Sequence, residues 1–171
     1  MTRRASDARV CRRVVFLVPP KQKSDSWQPM KFLPVFWSNG WFRDQPDTTM
    51  GILCDPSDPA LADFPTAMYA DFHWWELMEG GQAFLLNGTP AGFRPVIQVI
   101  DDFHRNRKMG AVFEASVGKG KLLAVSFDLA TNLDGRPVAR QLLHSLLAFA
   151  GSERFEPRDR LAAEDVGKLA K

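Results

Sequence analysis

The stretch that decides the fold is MGAVFEASVGKGKLLAVSFDL, residues 109–129. It contains two runs of apolar and β-branched residues, joined by Gly-Lys-Gly at positions 118–120. Two such runs around a short glycine turn predict an antiparallel β-hairpin. Glu114 alternates with apolar neighbours in the first run, so we expect its side chain on the solvent face of the hairpin.

The segment after the hairpin, RPVARQLLHSLLAFAGS (residues 136–152), predicts a helix that packs on the sheet. Pro137 suits the first turn of a helix, and Gly151 suits its end. His144 is expected at a solvated or edge position. The apolar residues recur at the spacing of one helical face: Val138, Leu142, Leu146 and Phe149, with Leu143 and Leu147 widening the stripe.

Upstream of the hairpin, short strands surround one helix. VVFLV at 14–18 is continuously apolar, which is typical of a buried strand in a parallel sheet. Further short strands are predicted within 49–54, 82–88 and 94–101. The sequence YADFHWWELMEGG at 69–81 predicts a helix of about two turns that ends at the Gly-Gly pair.

Two connections carry local signals of their own. Residues 21–47 are rich in aromatic side chains and interrupted by prolines, which predicts a long ordered loop with at most a short helix or strand. In DPSDP at 55–59, Asp55 or Asp58 can accept hydrogen bonds from free backbone N–H groups. Pro59 can then open a helical turn.

This order of elements predicts an α/β layered sheet with an antiparallel portion supplied by the hairpin. We divide the chain into a basic disordered start (1–11), an α/β domain (12–156) and a charged tail (157–171) that is a weak helix or disordered. A complete doubly wound sheet usually begins with a further strand and helix, so we expect the front of this sheet to be missing.

Composition excludes several classes of function. The net charge is only +2, with 45% hydrophobic and 25% charged residues, so we expect no nucleic-acid partner. No apolar run approaches the ~20 residues that cross a bilayer, so we expect no membrane partner. Cys11 and Cys54 form neither a CxxC pair nor a disulfide framework, and a reducing, cytoplasmic location is the default expectation.

A search for cofactor and metal motifs finds none. The chain lacks the glycine patterns of phosphate loops and dinucleotide sites, and its three histidines do not pair at helical spacing, so no cofactor or metal is predicted. Cys54 follows a strand, and nucleophilic cysteines commonly lie at a sharp, glycine-rich turn between a strand and a helix. Leu53 and Asp55 flank it where small residues are expected, so a small apolar side chain at a strand end is the better interpretation.

The remaining candidates suit structural roles or sugar binding better than catalysis, and for any single tryptophan packing in the core is the favoured interpretation. Adjacent aspartates on a strand face opposite ways, so 101 and 102 are no catalytic pair, and one of them is expected to cap the following turn. Consecutive tryptophans on a helix point about 100° apart, so only one of 74 and 75 should be fully buried. The candidate carbohydrate contacts are Trp41, Trp74, Trp75, Asp101, Asp102 and Arg105.

Several of these segments together resemble a known family. They are PVFWSNGWF, GILCDPSDPALADFPT, FHWWEL, FRPVIQVIDDFHRNRKMGAVFEASVGKGKLLAVSFDL and RPVARQLLHSLLAFA. The succession, over residues 12–156, resembles the C-terminal region of β-galactosidase-like proteins of glycoside hydrolase family 2. The resemblance implies a flavodoxin-like, or class I glutamine amidotransferase-like, domain without the amidotransferase nucleophile.

The resemblance also implies a part of a carbohydrate-active enzyme rather than a complete one. The family's catalytic glutamates belong to a preceding barrel domain, which this chain lacks, so a truncated gene or a separated fragment is expected. The leading hypothesis is a non-catalytic accessory domain of a glycoside hydrolase that acts on β-galactoside-like carbohydrates. Its role is assembly or lining of a neighbouring active site, and its partner is the catalytic domain or a second copy of itself. A small carbohydrate-binding module and a degenerate amidotransferase-like enzyme using Cys54 are the alternatives.

Overall fold

The chain has a mixed α/β architecture. The computed structural model describes residues 13–17, 26–31, 49–102 and 105–169. The strands are β1 (Arg13–Leu17), β2 (Trp27–Pro29), β3 (Gly51–Cys54), β4 (Gln82–Leu85), β5 (Ile97–Ile100), β6 (Met109–Val117), β7 (Gly120–Val125) and β8 (Arg160–Leu161). The helices are α1 (Phe72–Met78), α2 (Pro137–Gly151) and α3 (Ala163–Leu169), with short 3-10 helices at Pro59–Leu61 and Leu133–Gly135.

The predicted hairpin is confirmed and lies at the centre of the sheet. β6 and β7 pair antiparallel from Val112 opposite Val125 to Val117 opposite Gly120. Gly118, in the turn, has φ of 58°, a conformation that favours glycine. Glycine is therefore favoured at this turn position because its backbone adopts a left-handed conformation.

β6 is paired along both edges. Met109 pairs with Leu85 of β4 and with Val99 of β5, so these two strands flank β6 on opposite sides. β7 continues the β4 edge, and β8 joins the β5 edge through Ser116 and Val117. Antiparallel pairing extends beyond the hairpin, because among the described residues five of the seven strand pairs are antiparallel, and β1–β7 and β6–β8 are parallel.

The predicted terminal helix is confirmed as α2, with Pro137 at its first position. Its inward face comprises Ala139, Leu142, Ser145, Leu146, Phe149 and Ala150, whereas Leu147 is 49% exposed. Ser145 is the polar exception on this face. Its hydroxyl donates to Ala60 O at 2.8 Å and accepts from Asp63 N at 3.1 Å, which ties the helix to the Pro59–Leu61 turn. His144 is exposed, as predicted.

Helix α1 is also confirmed, and its two tryptophans separate as expected. Asp71 caps the helix by accepting from His73 N at 3.0 Å. Trp74 is fully buried and Trp75 is 49% exposed. The predicted Gly-Gly stop has a packing reason, because a Cβ on Gly81 would lie 2.5 Å from Met30 Cε and 2.8 Å from Leu77 O.

Apolar side chains on the two faces of the sheet form two cores. Val112 and Phe113, adjacent on β6, point to opposite faces. The larger core lies under α1 and α2, and it includes Trp74, Leu146 and Phe155. The smaller core, with Phe84 and Phe113, lies on the other face.

Residues 157–171, predicted as a weak helix or a disordered tail, contain β8 and the helix α3. Leu161 and Leu169 are buried in the smaller core. The indole N–H of Trp27 donates to Leu169 O at 2.6 Å, and this hydrogen bond connects β2 to the end of α3. Of the other predictions, the basic start, Cys11, Trp41 and most of the aromatic loop lie outside the described residues.

Candidate functional site

A cleft of about 940 Å³ opens on the helix-covered face of the sheet. The end of β3, the Pro59–Leu61 turn, strand β5 and the segment 154–159 surround it. Its lining combines ionisable and apolar side chains, among them Cys54, Asp58, Arg94, Glu114, Phe149 and Arg158. Its volume lies in the range of small-molecule sites, while its lining is richer in charged side chains than most such sites.

The pairing of β6 explains why the cleft forms at this place. On one edge, β6 pairs with β5 at Val112 and with β8 from Ser116 onwards. Glu114 lies between these two stretches, in a notch of the sheet. Its side chain points to the same face as Val112 because residues two apart on a strand share a face.

The solvent-face prediction for Glu114 is therefore wrong. The residue is partly buried, and its Oε2 atom is fully buried and has no hydrogen-bond partner among the described residues. Burial, reinforced by the negative charges of Asp58 and Asp159, raises the pKa of Glu114 to about 7. Alternation correctly assigned the side chain to one face, but helix α2 and the segment after it cover that face.

A second carboxyl in the cleft belongs to Asp58. As predicted, it caps the 3-10 turn, since its Oδ1 accepts from Ala60 N at 2.8 Å. Burial raises the pKa of Asp58, although this hydrogen bond opposes the effect. The neighbouring Asp55 accepts from Ser57 N at 2.8 Å, and hydrogen bonds from Ser57 lower its pKa.

The thiol of Cys54 lines the same cleft but is not activated. Its Sγ lies 3.3 Å from the Ala67 carbonyl oxygen, to which it donates. Burial raises the pKa of Cys54, and the nearby aspartates act in the same direction. A nucleophilic cysteine needs a lowered pKa, so this environment disfavours the thiolate.

Glu114→Gln is expected to stabilise the fold at pH 8 but not at pH 5. The folded-state pKa of about 7 lies above the ordinary glutamate pKa of 4.5, so ionisation of Glu114 opposes folding, and the penalty grows as the pH rises from 4.5 to 7. Allowing for solvent screening, the gain at pH 8 should be about 1 to 2 kcal/mol. Urea unfolding at both pH values measures it; an equal effect at pH 5 and pH 8 would contradict the assignment.

A second feature is the apolar surface formed by Leu53, Met68, Tyr69, Phe72 and Trp75, here called the aromatic surface. Their exposures are 41%, 59%, 59%, 82% and 49%. Leu53 forms an isolated bridge with Tyr69, and Cys54 N donates to Met68 O at 3.0 Å. The rings of Phe72 and Trp75 meet edge to face with centroids 5.8 Å apart.

The two predicted aspartates stabilise the turn after β5. Asp101 accepts from Arg107 Nε at 2.7 Å and from Arg107 N at 2.9 Å, and Arg105 Nη2 lies 3.2 Å from its Oδ1. Asp102 Oδ1 accepts from Arg105 N at 2.9 Å, which confirms the predicted cap. Burial opposes ionisation of Asp101, but the Arg107 hydrogen bonds outweigh it and lower its pKa to about 2.

The structure thus divides the predicted carbohydrate contacts. Trp74 has no exposed surface, and its indole N–H donates to Thr66 Oγ1 at 2.8 Å, so this ring cannot stack on a sugar. The carboxylates of Asp101 and Asp102 are buried and engaged with the two arginines. Trp75 remains as an exposed ring, and Trp41 lies outside the described residues.

Sequence reasoning missed Glu114 as a cleft residue and Tyr69 and Phe72 as exposed rings. A polar residue inside an apolar strand was the available signal for Glu114. Within the described ranges, no group of three or more His, Cys, Asp or Glu residues could hold a metal ion. In the same part of the chain, no helix is long and apolar enough to cross a membrane.

Comparison with known families gives one match. A family model described as "Domain of unknown function (DUF8487)" matches residues 6–171, which is nearly the whole chain. No curated protein matches the sequence significantly.

Proposed function

Since the chain belongs to the DUF8487 family, whose description names no activity, we propose that it is a non-catalytic accessory domain of a glycoside hydrolase acting on β-galactoside-like carbohydrates. Its role is assembly with the catalytic domain. The aromatic surface is the observation that carries this proposal. The likeness of residues 12–156 to the C-terminal region of β-galactosidase-like proteins indicates the partner.

The aromatic surface has the properties of a docking site. Its five side chains are large, apolar and 41% to 82% exposed, and they lie together on β3, the following connection and α1. Soluble monomers rarely expose large contiguous apolar patches, and aromatic residues dominate the energetics of protein interfaces. Outside this surface, Leu147 is the remaining exposed large apolar residue of the described chain.

The proposal includes a relationship in fold. We propose that the domain derives from a flavodoxin-like, or class I glutamine amidotransferase-like, sheet whose nucleophile has been lost. The parallel β1–β7 pair and the long helix α2 packed on one face support this relationship. The inactive environment of Cys54 agrees with the loss of the nucleophile.

Hydrolysis assays test the non-catalytic part of the proposal. The chain alone should release no aryl group from a panel of aryl glycosides that includes β-galactosides. Turnover that disappears in Glu114→Gln or Asp58→Asn would overturn the proposal, because it would place the catalytic acids in the cleft. A labelling reagent should modify Cys54 slowly until the chain unfolds.

Docking is tested by calorimetric titration with the catalytic region of a glycoside hydrolase family 2 protein. Phe72→Ser combined with Trp75→Ser should weaken the association at least tenfold, because the two exposed rings would lose the apolar area they bury at the interface. Leu147→Ser, which also removes an exposed apolar side chain, is the matched control and should bind normally. Equal affinities for all three proteins would place the interface elsewhere.

A carbohydrate-binding role is the second candidate, because Trp75 and Tyr69 expose ring surface that a sugar could stack on. Titration of β-galactosides against tryptophan fluorescence distinguishes it from docking. A saturable change that Trp75→Ser abolishes would favour sugar binding at this surface. No change with sugar, together with binding to the catalytic region, would favour docking.

A further inference from the structure

We propose that the cleft beside β6 binds a small primary amine, with the ammonium group between the carboxylates of Glu114 and Asp58 and an apolar body against the cleft walls. The cleft borders the aromatic surface, with which it shares Leu53 and Met68, but its carboxyl groups give it a different chemistry and the amine proposal does not depend on docking. The family description assigns no ligand.

The inner part of the cleft lacks a hydrogen-bonded cation. Glu114 Oε2 is fully buried without a partner among the described residues. Asp58 uses Oδ1 to cap the turn, and no ion pair within 4 Å joins it to any cation in the described ranges. An unpaired buried carboxyl group is costly to the fold, and a cationic ligand that pairs with its charge would offset that cost.

Several elements place charged groups near Glu114. Asp58 comes from the 3-10 turn, Asp159 and Arg158 from the segment before β8, and Lys121 from β7. Lys121 is engaged elsewhere, since its Nζ donates to Phe155 O at 2.7 Å and pairs with Glu156. Arg158 acts on both carboxyls from a distance, because it forms an ion pair with neither.

The negative and positive groups of the cleft differ in their exposure to solvent. The two carboxyls are partly buried, whereas Arg94, Arg154 and Arg158 are exposed. A compact ammonium can therefore reach the carboxyls while the arginines remain in solvent, where their charges are screened. An anionic ligand in the inner cleft would be repelled by the two carboxylates, so anionic ligands are disfavoured.

The apolar walls of the cleft indicate what kind of group is attached to the amine. Leu53, Pro59, Met68, Pro95, Val96 and Phe149 line the cleft alongside the charged groups. The volume of about 940 Å³ accommodates a body the size of a six-membered ring. The ligand class is a small primary amine with an apolar or ring-shaped body.

Two probes of the same shape test the proposal by NMR titration of the full chain: cyclohexylmethylamine and the uncharged cyclohexylmethanol. At pH 8 the amine should bind roughly tenfold more tightly than the alcohol, because its charged N–H groups meet ionised carboxylates. At pH 5.5, where Glu114 is protonated, that preference should fall to the level shown by the Glu114→Gln variant. The shifted amides should include those of residues 98 and 114.

Variants separate binding from folding. Glu114→Gln and Asp58→Asn should each remove most of the preference for the amine and leave alcohol binding unchanged. Asp134→Asn, an exposed position outside the cleft, is the control and should keep the full preference. Equal binding of amine and alcohol at pH 8, no binding of either probe, or an undiminished preference in Glu114→Gln would each overturn the proposal.

Discussion

Replacing Asp101 by asparagine is expected to lower the free energy of unfolding by about 3 kcal/mol at pH 7, since breaking a buried ion pair leaves the remaining charges uncompensated. The Asp101 side chain is 1% exposed, and Arg105 and Arg107 are 23% and 25% exposed. Arg107 also donates to Gln28 Oε1 at 2.8 Å, so the loss should extend to β2. Urea unfolding of the variant and the parent measures the difference.

The pH dependence of this loss has a definite sign. The folded-state pKa of Asp101 is about 2, below the ordinary aspartate pKa of 3.8. Its stabilising contribution is therefore present above pH 3.8 and is lost as the pH falls towards 2. The parent and Asp101→Asn should converge in stability near pH 2, and a gap that stays constant down to that pH would contradict the ion-pair explanation.

Trp74→Ala is expected to cost about 3 to 5 kcal/mol, whereas Trp75→Ala should cost less than about 0.5 kcal/mol. Trp74 packs with ring centroids 5.1 Å from Phe64 and 5.9 Å from Phe127, so its removal leaves a cavity between α1 and the sheet. Trp75 is half exposed and contacts Phe72 at the surface. The neighbouring position thus provides a control with the same substitution.

Chemical denaturation of both variants checks this pair of expectations. If Trp75→Ala proved as destabilising as Trp74→Ala, the aromatic surface would be a part of the core rather than a free face. Thr66→Val offers a finer test. It removes the acceptor of the Trp74 indole N–H and the hydroxyl's own donation to Ala67 O at 2.9 Å, and it should cost about 1 kcal/mol.

The sequence predicted those parts of the fold that depend on local pattern. The glycine turn at 118–120 and the apolar spacing of 137–151 are determined by nearest neighbours along the chain, and both elements form where expected. That one of two consecutive tryptophans is buried follows from helix geometry alone. Which one is buried depends on Phe64 and Phe127, which no local pattern identifies.

The candidate site was less accessible to sequence reasoning. Alternation placed Glu114 on one face of β6, but that face is covered by α2 and by residues 154–159, which lie about 25 to 45 positions further along the chain. The notch depends on where β5 stops and β8 begins along β6, and short strands give little sequence signal of their own register. We expected one antiparallel pair of strands, the hairpin. The other antiparallel pairs join strands that are distant in sequence, so local patterns did not predict them.

The central claim, that this domain serves a glycoside hydrolase by docking through its aromatic surface, is tested most directly by hydrogen exchange. The amides of the chain should be measured alone and with the catalytic region of a glycoside hydrolase family 2 protein. We predict slower exchange at 53–54 and over 68–78, with the β6–β7 hairpin unchanged. No protection, or protection confined to residues outside the aromatic surface, would contradict the claim.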